Sequence, residues 1–181
     1  MELRAGPDLR LAPVRLHDAD EMFELVERYR ESLEPWLWWV ETTRSVEDTK
    51  FFIASLKKVG IYEQGLVFAI RHRREFAGTV GFHNGNGAHM RAEIGYWLAP
   101  PFEGRGVMTK SCLACLEYAF GKVGVHRIEL RTRAENERSV AMAIRLGFSF
   151  EGVEREGLRR GKEFHDHNVY SLLKPEWEAR A

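Results

Sequence analysis

Apolar and polar positions alternate along this chain with two distinct periods. Leu9 and Leu11 flank Arg10, the pattern of a short strand. Asp18 and Glu21 have the spacing of a helix start with a capping box. Met22, Phe23, Val26 and Tyr29 then recur at helical intervals up to a break near Pro35. Trp36, Leu37, Trp38, Trp39 and Val40 follow, a run that plugs a core, walls a pocket or makes a dimer contact. Ser45 and Asp48 predict a second helix start. Phe51, Phe52, Ile53 and Leu56 are expected to face inward along it, and Gly60 and Gly65 bracket its end.

Leu66–Ile70 reads as an apolar strand, Arg71–Glu75 as a charged turn and Thr79–Phe82 as the next strand. Asn84-Gly85-Asn86-Gly87 carries a hairpin-turn signal, and Arg91–Leu98 is the strand beyond it. Met108, Cys112, Cys115, Leu116 and Ala119 recur at helical spacing, with Gly121 and Gly124 ending that helix. Ile128, Leu130 and Thr132 alternate as a strand. Glu137–Leu146 predicts a short helix with Val140, Ala141 and Ile144 buried and Gly147 at its end. Phe148–Val153 and His167–Leu173 are the last strands, joined by the basic segment Arg155–Lys162. The order β-α-α-β-β-β-α-β-α-β-β predicts an α/β fold with a mixed sheet, and residues 1–181 are expected to form one domain.

Composition narrows the class. The chain is 44% hydrophobic and 30% charged, as soluble globular proteins are. Its 27 basic residues balance 27 acidic ones, which argues against nucleic acid as a partner held by bulk charge. No apolar run approaches a membrane span, and Met1-Glu2-Leu3-Arg4 has no signal-peptide core, so a cytoplasmic location with no membrane partner is expected. Cys112 and Cys115 fall on the apolar stripe of a helix and read as small core residues rather than a redox or metal pair. His165-Asp166-His167 supplies two imidazoles on one strand face but no further ligand. No metal is expected there, only a polar wall or a structural hydrogen bond.

The stretch from Tyr96 to Thr109 carries the chemistry. It reads as a strand, a glycine-bearing loop and a helix start. A helix start presents unpaired N–H groups and partial positive charge, and Gly104 and Gly106 let the backbone approach a ligand. Arg105 adds a fixed cation. The geometry suits a phosphate. Gly106-Val107-Met108 does not complete a P-loop, and Thr109 stands where a Rossmann fingerprint needs its third glycine. By itself the loop also fits a tight turn that only packs a helix on a sheet.

Other segments decide which phosphate ligand is meant. Ala92-Glu93-Ile94-Gly95-Tyr96-Trp97-Leu98 and Phe102-Glu103-Gly104-Arg105-Gly106-Val107-Met108-Thr109 are followed by Asn136-Glu137-Arg138-Ser139, Leu146-Gly147-Phe148 and Asp166-His167-Asn168-Val169-Tyr170. In this order the chain resembles the GNAT superfamily of N-acetyltransferases, and within it the RimJ/RimL-like N-terminal acetyltransferases. It departs from the superfamily at Pro101, where Arg or Gln is usual.

The resemblance implies a mostly antiparallel central sheet flanked by helices, with acetyl-CoA as cofactor. It implies that backbone N–H groups of Glu103, Gly104, Arg105, Gly106, Val107, Met108 and Thr109 bind the pyrophosphate. Tyr96, Trp97 and Leu98 would run beside the pantetheine arm, usually with a bulge in that strand. Asn136 and Ser139 would lie against the pantetheine and the sulfur, Ser139 protonating the thiolate with Tyr170 as its rival. Trp36 and Trp39 would wall the acceptor pocket, and Asp166 matches a position near it. A carboxylate that some members use aligns with Leu158 here, so that role does not transfer; Glu156 lies close by.

Strand alternation sets Arg91, Glu93 and Gly95 on one face. Glu93 is the first candidate for the base that deprotonates the amine, with a pKa expected to be raised by desolvation. A cross-strand charge paired with Arg91 or Arg131 is the alternative. His83 on the neighbouring strand could do the same work beside the acceptor. The implied activity is acetyl transfer to the α-amino group of a protein, typically ribosomal. Polyamines and aminoglycosides are competing acceptors, and a non-catalytic acyl-CoA-binding module is the reading from another class. A homodimer is plausible by resemblance.

Overall fold

The computed structural model describes residues 1–56, 60–62 and 65–180. Leu9 and Leu11 do form a strand, β2 (Leu9–Pro13), but it is the second arm of a hairpin with β1 (Leu3–Gly6), too short a segment to show alternation. Then come α1 (Ala19–Arg28), the one-turn α2 (Arg30–Leu33) and α3 (Val46–Ser55). β3 (Leu66–His72), β4 (Glu75–Asn86) and β5 (Arg91–Leu98) are a meander. After it run α4 (Val107–Glu117), β6 (Arg127–Thr132), α5 (Glu137–Arg145), β7 (Ser149–Arg160), β8 (Glu163–Leu173) and α6 (Lys174–Glu178).

The eight strands make one sheet in the order β1-β2-β3-β4-β5-β6-β8-β7. All neighbours are antiparallel except β5 and β6. Helices cover both faces. Phe68 opposes Val80 and meets Tyr118 beyond α4, whereas Trp97 opposes Thr79 and meets Trp39. Successive residues of β4 point to opposite faces, so α4 and the Trp39 segment lie on opposite sides of the sheet. β4 is buried from Phe76 to Phe82 because it is sandwiched between them. Among the described residues no helix is long and apolar enough to cross a membrane.

Several expectations need correction. Asp18 and Glu21 do not cap each other's helix start. Asp18 accepts from the Arg15 N–H and from Arg71, and Glu21 accepts from the Phe76 N–H and from Arg71, tying α1 to the β3–β4 hairpin. Ser45 and Asp48 do form a capping box, but of the apolar run only Ile53 is buried, and Phe51 and Phe52 are exposed. Three successive residues at about 100° each cannot share one helix face. On α5 the buried side is Met142 and Ala143; Ala141 and Ile144 face solvent. The hairpin turn falls at 87–90, because β4 continues through an irregularity between His83 and Asn86. The helix after Gly106 passes Gly121 in a π-helical turn and stops at left-handed Gly124. The basic segment Arg155–Lys162 is mostly strand, since β7 runs on to Arg160 and turns directly into β8.

Charged side chains cross-link the β6–β8–β7 end. Arg127 bonds Glu129 and Glu151, and Arg131 bonds Glu129 and Glu154. The Arg127 guanidinium, helped by the Ser171 hydroxyl, holds the Glu151 carboxyl down from 4.5 to about 2. A pKa depressed by folding adds stability above the unfolded value, and that stability is lost as pH falls through the folded value. Glu151 is partly exposed, so screening limits the gain to about 1 kcal/mol. Glu151→Gln is therefore expected to melt about 3 °C below wild type at neutral pH. The gap should close as pH falls from 4.5 towards about 2. Thermal denaturation of both proteins across that range checks it.

Candidate active site

β5 ends in a loop that the sequence shapes residue by residue. Pro100 opens a 3-10 turn, buried Phe102 anchors it, and Ala99 N–H bonds the Ala77 carbonyl on β4. Glu103 N–H is consumed by the Pro100 carbonyl, which removes Glu103 from the expected set of backbone donors. Its carboxylate pairs instead with Arg138 of α5. Gly104 and Gly106 adopt left-handed backbone at φ 70° and 71°, and nothing lies within 4 Å of where a Cβ would stand on either. Lys110 N–H is the first to bond back, to the Gly106 carbonyl, leaving the N–H groups of Val107, Met108 and Thr109 outside the helix ladder. Val107 and Met108 bury their side chains in the core, so only their backbone faces outward. The result is a backbone cradle open at the positive end of an 11-residue helix, with Arg105 exposed on its rim. That is the donor set a pyrophosphate needs.

Beside the cradle the sheet opens. β5 pairs with β6 only at Arg91–Arg127, Ala92–Ile128 and Glu93–Glu129, while β6 stays paired to β8 as far as Thr132–Asn168. The two strands part after Glu93 and leave a wedge. The expected bulge in β5 is absent, since Glu93 to Leu98 pair with β4 in unbroken register. Strand parting provides the opening instead. Tyr96 on the β5 wall shares a 2.8 Å hydrogen bond with Ser139 of α5. Burial pushes the Tyr96 phenol well up, so it keeps its proton. Asn136 caps α5 by accepting from the Ser139 N–H, which orients Ser139. Tyr170 is buried against Phe150 and belongs to the core.

Glu93 lies at the apex of the wedge. Its carboxylate accepts from Asn84 at 3.1 Å, meets His83 Nε2 at 3.1 Å and lies 3.6 Å from Arg131 Nε. Burial raises its pKa, but His83, Asn84 and Arg131 together outweigh burial and lower it. The expected upward shift is thus reversed by partners on two other strands.

The Trp36–Trp39 segment is fastened at both ends. Arg30 donates to the Val40 and Thr43 carbonyls; Arg133 and Arg160 both donate to the Pro35 carbonyl. Trp39 packs on Trp97 with ring centroids 6.0 Å apart, and Trp36 stands exposed beneath the Arg133 guanidinium. The Arg160 bond to the Pro35 carbonyl ties the β7–β8 hairpin to the residue before the tryptophans. Sequence reading missed these three arginines, and only their basic character was visible. Asp166 accepts from the Glu156 N–H, closing a bulge where Glu156 is left-handed at φ 53°. Its contact is structural. His167 is held below the ordinary imidazole range by burial.

The chain matches the family model of the acetyltransferase (GNAT) domain over residues 8–149. It is 33% identical over 162 residues to a Bacillus subtilis (strain 168) protein provisionally named ribosomal N-acetyltransferase YdaF, covering 89% of this chain and 88% of that one. Mycobacterium smegmatis RimJ, solved in complex with a CoA disulfide, superposes with a TM-score of 0.87 at 30% identity, over 97% of this chain and 87% of RimJ. RimL, a ribosomal L7/L12 α-N-protein acetyltransferase solved with coenzyme A, shares the fold with a TM-score of 0.90 at 24% identity, over 96% and 98% of the two chains. The cradle, the wedge and these likenesses agree: the chain belongs to the GNAT acetyltransferase family and is an N-acetyltransferase that uses acetyl-CoA.

Proposed function

We propose that this enzyme acetylates the N-terminal α-amino group of a protein, with ribosomal proteins as the substrate class. The observation that supports the reading is the Pro35 carbonyl, where Arg133 just beyond β6 and Arg160 of β7 both bond and so tie the Trp36 segment to the sheet on the far side of the wedge. An extended chain end would lie along this segment, and Trp36, Trp39 and His83 are the residues assigned to it, Asp166 being taken up in the β7–β8 bulge. The names of YdaF and RimL support the same acceptor.

Acetyl-CoA supplies the acetyl group and a thiol leaving group. Gly104 to Thr109 hold its pyrophosphate, Tyr96 to Leu98 flank its pantetheine arm, and Asn136 keeps Ser139 in place. Ser139 delivers a proton to the departing sulfur, and the protonated Tyr96 phenol restores it. Glu93 and its partners serve the opposite proton transfer, from the ammonium. A cytoplasmic location and a homodimer complete the reading, with the exposed Phe150, Val153 and Phe164 of the β7–β8 hairpin as contact residues.

Thiol release from acetyl-CoA tests the acceptor. Peptides with varied N-terminal residues, polyamines and aminoglycosides are compared as separate pools. Turnover of the peptides is expected, whereas turnover confined to either small-amine pool would reject the protein acceptor.

A further inference from the structure

We propose that His83 takes the proton from the acceptor ammonium and that Glu93 is the positioning residue that aims it. The inference rests on the amine-acetylating site described above and deepens it. His83 and Glu93 oppose one another in register across β4 and β5. His83 Nε2 stands 3.1 Å from Glu93 Oε1. We assign the ring proton to Nε2, on the carboxylate side, which leaves the Nδ1 lone pair for the amine, the logic by which a carboxylate orients a histidine base.

Glu93 itself is poorly placed to receive a proton. Its other oxygen already accepts from Asn84 and faces Arg131, and its side chain is 15% exposed against 46% for His83. The same contacts hold its pKa low, favouring a permanent anion.

A second observation concerns the seat of the ring. A Cβ on Gly95 would stand 2.8 Å from His83 Cε1 and 3.3 Å from Nδ1. Only glycine at 95 lets the imidazole lie across β5, one residue before Tyr96 and past the last β5–β6 pair. The ring therefore sits in the wedge just past its apex. The charged groups around the pair are Glu93 on β5, Arg131 and Glu129 on β6, and Glu154 and His167 on β7 and β8.

The proton count closes. The ammonium gives one proton to His83 Nδ1. The nitrogen lone pair then forms the C–N bond to the acetyl carbon as the C–S bond breaks, its electron pair going to sulfur. Sulfur gains a proton from Ser139, Ser139 regains one from Tyr96, and the second proton shed by nitrogen passes through water to Tyr96, so the pair ends as it began. The products are an amide, a thiol and one proton that His83 returns to solvent.

The test is thiol release against pH for wild type, His83→Gln and Glu93→Gln, on whichever amine wild type turns over. Acetyl-CoA affinity is measured separately by calorimetry. His83→Gln is expected to lower kcat about 100-fold, flatten the rise of rate with pH and leave acetyl-CoA affinity unchanged. Glu93→Gln should lower kcat with KM for the amine little changed, because the imidazole loses the carboxylate that aims it, and Glu93→Asp should recover part of the rate. His83→Gly with added imidazole should regain rate, which only a folded protein can do. A His83→Gln enzyme with the wild-type rate and pH profile would overturn the inference, as would Glu93→Gln abolishing the rise while His83→Gln keeps it. A peptide pool that is silent with wild type counts against the protein acceptor alone, since the His83 comparison still runs on the small amine that turns over.

Discussion

Gly106→Val is expected to weaken acetyl-CoA binding about 1000-fold, the value for two lost charge-assisted hydrogen bonds of about 2 kcal/mol each. Gly106 is left-handed at φ 71° and caps α4. Nothing in the protein lies within 4 Å of the added Cβ, so the side chain would project into the cradle rather than into the fold. The cost to the free protein is backbone strain alone, on the order of 2 kcal/mol for a β-branched residue. Calorimetric titration with acetyl-CoA and a melting curve separate the two effects. A variant that binds as wild type does would mean that the loop is only a tight turn.

Gly78→Ala should be strongly destabilising. An added Cβ at Gly78 would stand 2.2 Å from the Trp97 carbonyl oxygen and 2.9 Å from Leu98 Cα, both backbone atoms that no rotamer change can clear. We expect a loss of about 4 kcal/mol, among the larger effects of single substitutions. This corresponds to a fall of about 12 °C in Tm. Gly152→Ala is the matched control. Gly152 has a similar φ of 148°, but nothing lies within 4 Å of its Cβ position, so its cost should stay near about 1 kcal/mol of backbone strain. Equal losses in the two variants would assign the effect to φ rather than to the contact with β5. Gly78 opposes Leu98, so the surviving folded fraction also reports whether the pantetheine wall depends on that close approach.

The sequence carried the local features of the site well. Arg91–Leu98 is a strand with those bounds, and the left-handed Gly104 and Gly106 sit where a glycine-bearing loop was expected. Alternation also set Glu93 and Gly95 on one face, where the His83 ring meets both. Its pKa direction was not legible, because Asn84, His83 and Arg131 reach it from β4 and β6 and no local pattern announces those partners. The wedge was invisible for a related reason. Parting of β5 and β6 is a property of pairing, and each strand reads as ordinary by itself. Long-range cross-links such as Arg160 to the Pro35 carbonyl leave no trace in periodicity. Phe51 and Phe52 show the opposite failure, an apolar run that is a real helix but faces the wrong way.

The most direct test of the central claim is to locate the acetyl group on a product. Wild-type enzyme is incubated with acetyl-CoA and a peptide that carries both a free N-terminus and an internal lysine, and the product is fragmented in a mass spectrometer. One acetyl group is expected, on the α-amino nitrogen. Acetylation confined to the lysine side chain, or none while a polyamine in the same mixture is modified, would contradict it.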